Sequence, residues 1–278
     1  MLIRNFIPGY LMLLLSACGG GGSNMPQNPD PNPPTTTTPS TTTLYIGYYT
    51  EDPTADPNDP TPGVIYVYLP DSDTGFNGEF FFSYQGCLGS YDTGLLAGNR
   101  SGMSISGSWS GNVDGTPASG TFRGDQAGTF SYSGSWTHDG GSQDFSFGNP
   151  PDVCSYTFAG KGNFVLYQIQ NGTLSISVGL TSPFTPEFGF SPDPGAAAYK
   201  IDVVDQACLA SGGGVSACTM WEDHVVNSGS GLPMTETYGS GVLAAKPLVS
   251  GNTYVVSFLS YDTGGSVLDF GSNQFLVP

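Results

Sequence analysis

The chain has few basic side chains and few histidines. Its 278 residues include 6 Lys and Arg against 23 Asp and Glu, and 2 His. The formal net charge of −17 repels phosphate backbones, so the composition excludes nucleic acid as a partner. We interpret the acidity first as a solubility feature, and binding of a cation or a basic partner is the alternative.

The chain also lacks a long apolar run and a helical hydrophobic period. The apolar stretch near its start, Leu11 to Leu15, is far below the roughly 20 residues that span a bilayer. Nowhere do apolar residues recur at helical spacing with polar residues between them. Short runs rich in β-branched and aromatic residues, separated by Gly, Asn, Asp and Pro, instead predict an all-β chain.

The first residues have the order of a secretory signal, with the basic Arg4, the apolar stretch and then small side chains. Leu15-Ser16-Ala17-Cys18 resembles the lipobox of bacterial lipoproteins. The resemblance implies removal of residues 1–17, a diacylglyceryl group on the Cys18 thiol and usually an acyl group on the new amino terminus. Two or more acyl chains hold a soluble domain firmly on a membrane. An ordinary signal peptide followed by a chance cysteine is the alternative.

Gly19 follows Cys18, at the position where enteric lipoproteins retained at the inner membrane typically have Asp. The resemblance therefore implies lipid anchoring in the outer membrane, on its periplasmic or its cell-surface face. In a host with a single membrane, the anchor would place the protein on the outer face. Residues 18–43 are then a flexible linker of Gly, Pro, Asn and Thr, with too few apolar side chains to offset its ordering entropy.

Four cysteines follow Cys18, and they are Cys87, Cys154, Cys208 and Cys218. An even number in an exported chain indicates disulfides. Three pairings are possible, and we favour Cys87–Cys154 with Cys208–Cys218 because each bond then closes within one predicted domain. The alternative, a zinc site, lacks the Cys-x-x-Cys spacing.

Residues 44–170 are predicted to form an antiparallel β barrel or sandwich, with Phe164 to Ile169 as its closing strand. Val64 to Leu69 carries apolar or aromatic residues on both faces of its predicted strand. Two Gly-x-aromatic triplets recur along the chain: Gly107-Ser108-Trp109 as Gly134-Ser135-Trp136, and Gly120-Thr121-Phe122 as Gly128-Thr129-Phe130. We interpret the triplets as hairpin strands with the aromatic residue facing a core and Ser or Thr facing water. They resemble the small barrels of bacterial surface lipoproteins, and no function is transferred from that resemblance.

Residues 171–278 are predicted to form a second β domain, beginning with a half-buried strand over Leu174 to Leu180. Phe188 to Val203 resembles the strand–Pro-rich turn–strand segment of fibronectin type III domains. Pro247 to Phe258 resembles the tyrosine corner of that fold, in which the hydroxyl of a Tyr, here Tyr254, bonds back to the preceding backbone. The resemblance implies a β sandwich that serves as a spacer or a recognition surface, without catalysis. Phe188 or Phe190 would replace the usual strand Trp.

Asp71, Asp73, Asn77 and Glu79 place oxygen-bearing side chains at alternate positions, interrupted by Gly75. This spacing partly resembles a calcium loop, so these four residues are candidate calcium ligands and calcium is the one candidate cofactor. The segment lacks the glycine at the sixth position of an EF-hand, and its Glu comes too early. Acidic turns that keep the chain soluble are the alternative.

Trp221-Glu222-Asp223-His224 places two carboxylates directly before a His. No Gly-x-Ser-x-Gly elbow accompanies it, so we predict an ordinary strand and no catalytic residue.

Several predicted strands are rich in tyrosine, which either covers a half-buried sheet or presents aromatic rings to a sugar or a protein. The residues concerned are Tyr45, Tyr48, Tyr49, Tyr66 and Tyr68. We favour the first interpretation. The sequence as a whole predicts a lipid-anchored envelope protein with a non-enzymatic recognition, adhesion or structural role. A glycan-binding or glycan-cleaving accessory protein is the alternative.

Overall fold

A computed structural model describes residues 41–52, 62–83, 91–113, 116–147, 154–182, 184–239 and 241–278. The all-β prediction is confirmed, because within these ranges the chain consists of β strands, turns and two short helices.

Eight antiparallel strands close into a barrel. They are β1 (Thr42–Glu51), β2 (Gly63–Pro70), β3 (Gly75–Ser83), β4 (Tyr91–Ser101), β5 (Ser104–Val113), β6 (Thr116–Gly128), β7 (Ser131–His138) and β10 (Lys161–Gln168). Each strand pairs with its neighbours along the chain, and β10 pairs with both β7 and β1. Of the two predicted architectures, barrel and sandwich, the structure shows a barrel, and the predicted closing strand is confirmed. A hairpin of β8 (Gln143–Phe147) and β9 (Cys154–Phe158) is inserted between β7 and β10.

The recurring triplets behave as predicted at three of their four positions. Trp109, Phe122 and Trp136 are buried in the barrel, while the Ser and Thr residues beside them are exposed. The prediction is wrong for Phe130, whose side chain is 48 % exposed. Strand β6 ends at Gly128, so Phe130 lies in the β6–β7 turn and has no inward-facing position.

Glycines inside the barrel make room for aromatic rings from neighbouring strands. The indole nitrogen of Trp109 donates a hydrogen bond across Gly120 to the carbonyl oxygen of Thr137, at 3.0 Å. A Cβ atom on Gly120 would lie 1.8 Å from that oxygen and 2.5 Å from the indole nitrogen. The same arrangement recurs with Trp136, Gly162 and Thr50. The glycine–aromatic pattern of the sequence therefore has a steric origin.

The second part of the chain contains a three-stranded and a four-stranded sheet, ordered β11-β12-β15 and β14-β13-β16-β17. The strands are β11 (Ser177–Gly179), β12 (Glu187–Gly189), β13 (Ala198–Asp205), β14 (Thr219–Val226), β15 (Thr235–Thr237), β16 (Thr253–Tyr261) and β17 (Val267–Leu276). The backbone N–H of Val249 donates to the Tyr254 hydroxyl at 2.9 Å, so the predicted tyrosine corner is present. The strand predicted over Leu174 to Leu180 is shorter than expected, because only Ser177–Gly179 pairs with β12.

Residues between β13 and β14 form two short helices, α1 (Gln206–Ala210) and α2 (Val215–Cys218). Asp205 caps α1 by accepting a hydrogen bond from the Cys208 backbone N–H at 3.0 Å. A disulfide joins Cys208 to Cys218, as predicted, with their Cα atoms 5.4 Å apart. The bond ties the two helices together.

The outer face of β1 and β2 packs against the four-stranded sheet. Ile65, Val67 and Leu69 face the barrel core, whereas Val64 and Tyr66 belong to a cluster that also contains residues of β13, β16 and β17. This packing explains why Val64 to Leu69 has no polar face. We call the contact the barrel–sheet interface. Its buried members are Leu44, Ile46, Val64, Tyr66, Val204, Leu209, Val215, Cys218, Val255, Leu259 and Phe270.

Candidate functional site

Two of the predicted sites lie outside the described residues. The lipobox with Cys18 is one, and the predicted Cys87–Cys154 disulfide is the other, because Cys87 is not described. Both stay predictions.

The candidate calcium ligands do not share a common set of hydrogen-bond partners. Asp71 accepts a hydrogen bond from Thr41, and Asp73 accepts one from the Gly102 backbone N–H at 2.7 Å. Asn77 and Glu79 lie on β3, and Glu79 accepts a bond from the Val215 backbone N–H. No group of three or more His, Cys, Asp or Glu side chains in the described part of the chain is arranged to hold a metal ion.

The tyrosine-rich strands bury most of their rings. Tyr49 lies in the barrel core and Tyr66 in the barrel–sheet interface. Tyr48 and Tyr68 are half-buried against that interface, and Tyr45 packs against the barrel core. These positions favour the sheet-covering interpretation over a sugar-binding platform.

A row of four buried polar side chains crosses the four-stranded sheet beneath the barrel. Glu222, Asp202, Ser257 and Ser272 are successive register partners on β14, β13, β16 and β17. All four are at most 5 % exposed. We call them the buried polar row. Tyr66 reaches it from the barrel, and its hydroxyl donates to Asp202 at 2.6 Å.

The row is bonded in its centre and not at its ends. The Ser257 hydroxyl lies 2.8 and 2.9 Å from the two carboxylate oxygens of Asp202. Among the described residues, neither carboxylate oxygen of Glu222 nor the Ser272 hydroxyl has a hydrogen-bond partner.

Burial shifts the acid–base equilibria of the row. It raises the pKa of Asp202 to about 6, although hydrogen bonds from Tyr66 and Ser257 and the charge of Lys200 oppose the rise. Burial also raises the pKa of Glu222 to about 8, against the effect of Lys200. Glu222 is therefore mostly protonated at neutral pH.

His224 lies next to the row on β14. Its Nε2 atom is 2.7 Å from the Tyr261 hydroxyl, and the two rings stack. Burial, aided by the charge of Lys200, lowers the pKa of His224 to about 4. The imidazole is thus neutral and held in place at physiological pH, as expected of a structural residue.

The barrel interior contains a cavity of about 70 Å³ between aromatic and aliphatic side chains such as Phe76, Phe122 and Leu166. Ligand pockets usually measure about 300–1,000 Å³, so this cavity is too small for an ordinary metabolite. We interpret it as a packing defect between rings that cannot interlock completely.

A larger concavity of about 770 Å³ lies on the outside of the barrel, between strands β2 to β5 and helix α1. We call it the barrel–helix groove. Its lining residues are Thr42, Tyr66, Tyr68, Gly75, Phe76, Asn77, Gly78, Glu79, Leu95, Leu96, Ala97, Ser108, Ser110, Leu209, Ala210 and Gly212. This volume is in the range of ligand sites.

Strand register sets the floor of the groove. Glu79, Leu95 and Ser110 are direct partners on β3, β4 and β5. Asn77, Ala97 and Ser108 form the next row in the same way. Directly opposed side chains have Cβ atoms about 5 Å apart, so each row presents a continuous strip.

The wall of the groove is anchored at several points. The Cys208–Cys218 disulfide joins α1 to α2, and Glu79 holds the first residue of α2 through the Val215 N–H. The Tyr68 hydroxyl lies 3.4 Å from the carbonyl oxygen of Gln206. These contacts hold α1 and α2 beside the barrel.

Sequence reasoning missed both the groove and the buried polar row. One signal was available, because Lys200 and Asp202 alternate with Tyr199, Ile201 and Val203 along β13. Alternation of this kind normally indicates a solvent-facing side. Only the packing of the barrel over that side reveals that the charges are buried.

The fold and the groove together define an all-β protein in which a closed barrel is packed on a β sandwich and bears a preformed surface concavity. No protein-family model matches the chain, and no curated protein matches it in sequence. No helix in the described part of the chain has the length and apolar character needed to cross a bilayer.

Proposed function

We propose that this chain is a lipid-anchored protein of the bacterial cell envelope, held at the outer membrane through Cys18, with a non-enzymatic recognition role. The observation that supports recognition most directly is the barrel–helix groove, since it combines an open concavity with a wall fixed by a disulfide. Preformed sites bind more tightly because they lose less entropy on binding.

Burial of the acid–base groups supports binding over catalysis. A general acid or base must come within about 3 Å of the proton it transfers. Asp202 and Glu222 are 5 % and 1 % exposed and lie beneath the barrel, and His224 is engaged with Tyr261. A substrate in the groove would reach none of the three.

The lipid anchor rests on the lipobox resemblance and on the charge of the chain. With a net charge of −17, the protein is repelled by anionic headgroups, so stable membrane attachment requires covalent lipid.

The anchor is tested by metabolic labelling with a fatty-acid analogue. The native chain should be labelled and Cys18→Ser should not. Continued labelling of Cys18→Ser, or a mature form that begins elsewhere than at Cys18, contradicts the assignment.

Glycan binding is the second candidate function, and one observation favours it. Hydroxyl and amide groups suited to sugar recognition line the groove, including those of Thr42, Asn77, Ser108 and Ser110. A glycan array probed with the full chain tests it, with Ser108→Trp as the comparison because the added ring fills the groove. Glycans retained by Ser108→Trp are not groove ligands.

A further inference from the structure

We propose that the barrel–helix groove binds a polypeptide segment that presents a basic side chain next to an apolar one. This inference rests on the proposed recognition role and names the partner class. It is carried by one juxtaposition, a carboxylate beside an exposed leucine on a floor of small side chains.

The apolar contact is Leu95, which is 61 % exposed on β4. Its register partners are Glu79 on one side and Ser110 on the other. A ligand that covers Leu95 therefore also approaches Glu79, whose Cβ atom lies about 5 Å from that of Leu95 across the sheet. An apolar side chain beside a Lys or Arg satisfies both groups at once.

The floor around this pair is shallow and neutral. Gly75, Gly78, Ala97, Ser108 and Ser110 have small side chains or none, so an extended chain can approach the sheet closely. The barrel is closed, and β2 and β3 pair at four register positions, from Val64 with Phe81 to Val67 with Gly78. Selectivity then comes from the side chains that line the groove.

Charge selects a cationic partner. None of the described residues that line the groove is basic. Two of the few basic residues, Arg100 and Lys246, donate to backbone carbonyls 2.6 Å away, and Lys200 is buried. Glu79 is the one charged residue among the described residues that line the groove, and together with the net charge of −17 it attracts a basic segment and repels an acidic one.

A neutral glycan fits this arrangement less well. Sugars bind best against a ring whose face is open, but Tyr66 is buried and Tyr68 is half-buried. Leu95 would also lose contact with water without gaining an apolar partner.

The test is a random-sequence peptide array probed with the full chain and its variants. We expect hits enriched in Lys or Arg next to an apolar residue and depleted in Asp and Glu. Leu95→Ser should weaken binding of these peptides about tenfold, since an apolar contact of this size is worth roughly one decade of affinity. Leu276→Ser is the matched control, because Leu276 is 55 % exposed on β17, outside the groove, and should bind as the native chain does.

The variant Glu79→Gln tests how much the negative charge of Glu79 contributes to peptide binding. The Gln carbonyl oxygen can still accept the hydrogen bond from Val215, so α2 keeps its contact while the negative charge is lost. Affinity should fall about fivefold, and its dependence on salt should weaken.

The proposal is overturned by an array without hits, by hits rich in acidic residues, or by hits that Leu95→Ser and Leu276→Ser bind equally. The glycan array separates this failure from failure of the recognition role. If glycans bind the native chain and are lost in Ser108→Trp, recognition through the groove stands and the peptide assignment is wrong. If neither array yields a ligand that depends on the groove, both proposals fail.

Discussion

The barrel interior and the barrel–sheet interface are both buried, yet they are built from opposite materials. Inside the barrel, aromatic rings lie over glycines, and the indole N–H groups of Trp109 and Trp136 are bonded to carbonyl oxygens. In the interface, an entire row of polar side chains crosses the sheet, and the atoms at its two ends lack hydrogen bonds among the described residues. Packing in the barrel interior stabilises the fold, whereas the buried polar atoms without hydrogen bonds in the interface reduce its stability.

Because of this difference, the two regions should be sensitive to different kinds of substitution. An aromatic ring that packs over a glycine allows no other residue at the glycine position, because the ring and the neighbouring strand leave no space for a side chain there. A buried carboxyl group has two protonation states and therefore two energies, so its contribution changes with pH. The barrel interior should respond to changes of shape, and the interface to changes of hydrogen bonding and charge.

The largest effect is expected from Phe164→Ala. The Phe164 ring covers Gly124 and Gly134, and a Cβ atom on either glycine would lie 2.7 Å from it. Removing the ring leaves a cavity that glycines cannot fill, so unfolding free energy should fall by about 3–5 kcal/mol in denaturant titrations. Phe130→Ala is the control, because that ring is 48 % exposed and its loss should change stability by less than about 1 kcal/mol. Equal losses would show that the barrel interior is not a packed core.

The next effect is the reverse substitution, Gly120→Ala. Its Cβ atom would lie 1.8 Å from the Thr137 carbonyl oxygen, so the strand must move and the Trp109 hydrogen bond must lengthen. We expect a loss of about 2–3 kcal/mol and a shift in tryptophan fluorescence. Gly75→Ala, on the exposed face of β3, meets its nearest atoms at 3.6 Å and should be tolerated. A stable Gly120→Ala with an unchanged spectrum would contradict the steric origin of the glycine pattern.

These two regions also differ in how far the sequence predicts them. The Gly-x-aromatic triplets and the tyrosine corner are local patterns with one structural outcome, so Trp109, Trp136 and Tyr254 were placed correctly. The prediction is wrong for Phe130, because the same Gly-x-aromatic sequence can lie inside a strand or in the turn that follows it.

The interface and the groove were not predictable in this way. Asp202 and Glu222 are twenty residues apart, and Tyr66 belongs to another sheet, so their meeting depends on how the barrel packs on the sandwich. Leu95 likewise becomes significant only when strand register places it beside Glu79. Amphipathic alternation gives the faces of a strand but not what covers them.

A smaller effect is expected at the interface from Tyr66→Phe. The substitution keeps the ring and removes the hydroxyl that donates to Asp202 at 2.6 Å. A bond from a buried donor to a carboxylate contributes about 1.5–3 kcal/mol, so stability should fall by about 2 kcal/mol. Tyr68→Phe is the matched control, since its hydroxyl makes only a 3.4 Å contact to a carbonyl oxygen and should contribute less than about 0.5 kcal/mol. If both variants lose the same amount, the Tyr66–Asp202 bond does not hold the barrel to the sheet.

The smallest effect tests the protonation of the buried polar row through Glu222→Gln. Burial raises the pKa of Glu222 from its ordinary value of 4.5 to about 8, so the folded protein binds a proton that the unfolded chain releases. The stability linked to this group is fully present below pH 4.5 and is lost as the pH rises through about 8. Asp202, with a pKa raised to about 6, and His224, with a pKa lowered to about 4, change stability mainly below pH 6.5. Between pH 6.5 and 8 the native chain should therefore lose up to about 1 kcal/mol per pH unit relative to Glu222→Gln.

Thermal unfolding followed across that pH range measures the difference. Glu222→Gln mimics the protonated acid and should have the flatter profile. Parallel profiles for the native chain and Glu222→Gln would mean that the Glu222 carboxyl group is ionised and compensated in the folded state. In that case the stability of the interface would not respond to protons between pH 6.5 and 8, and in this range it would differ from the barrel interior only in composition.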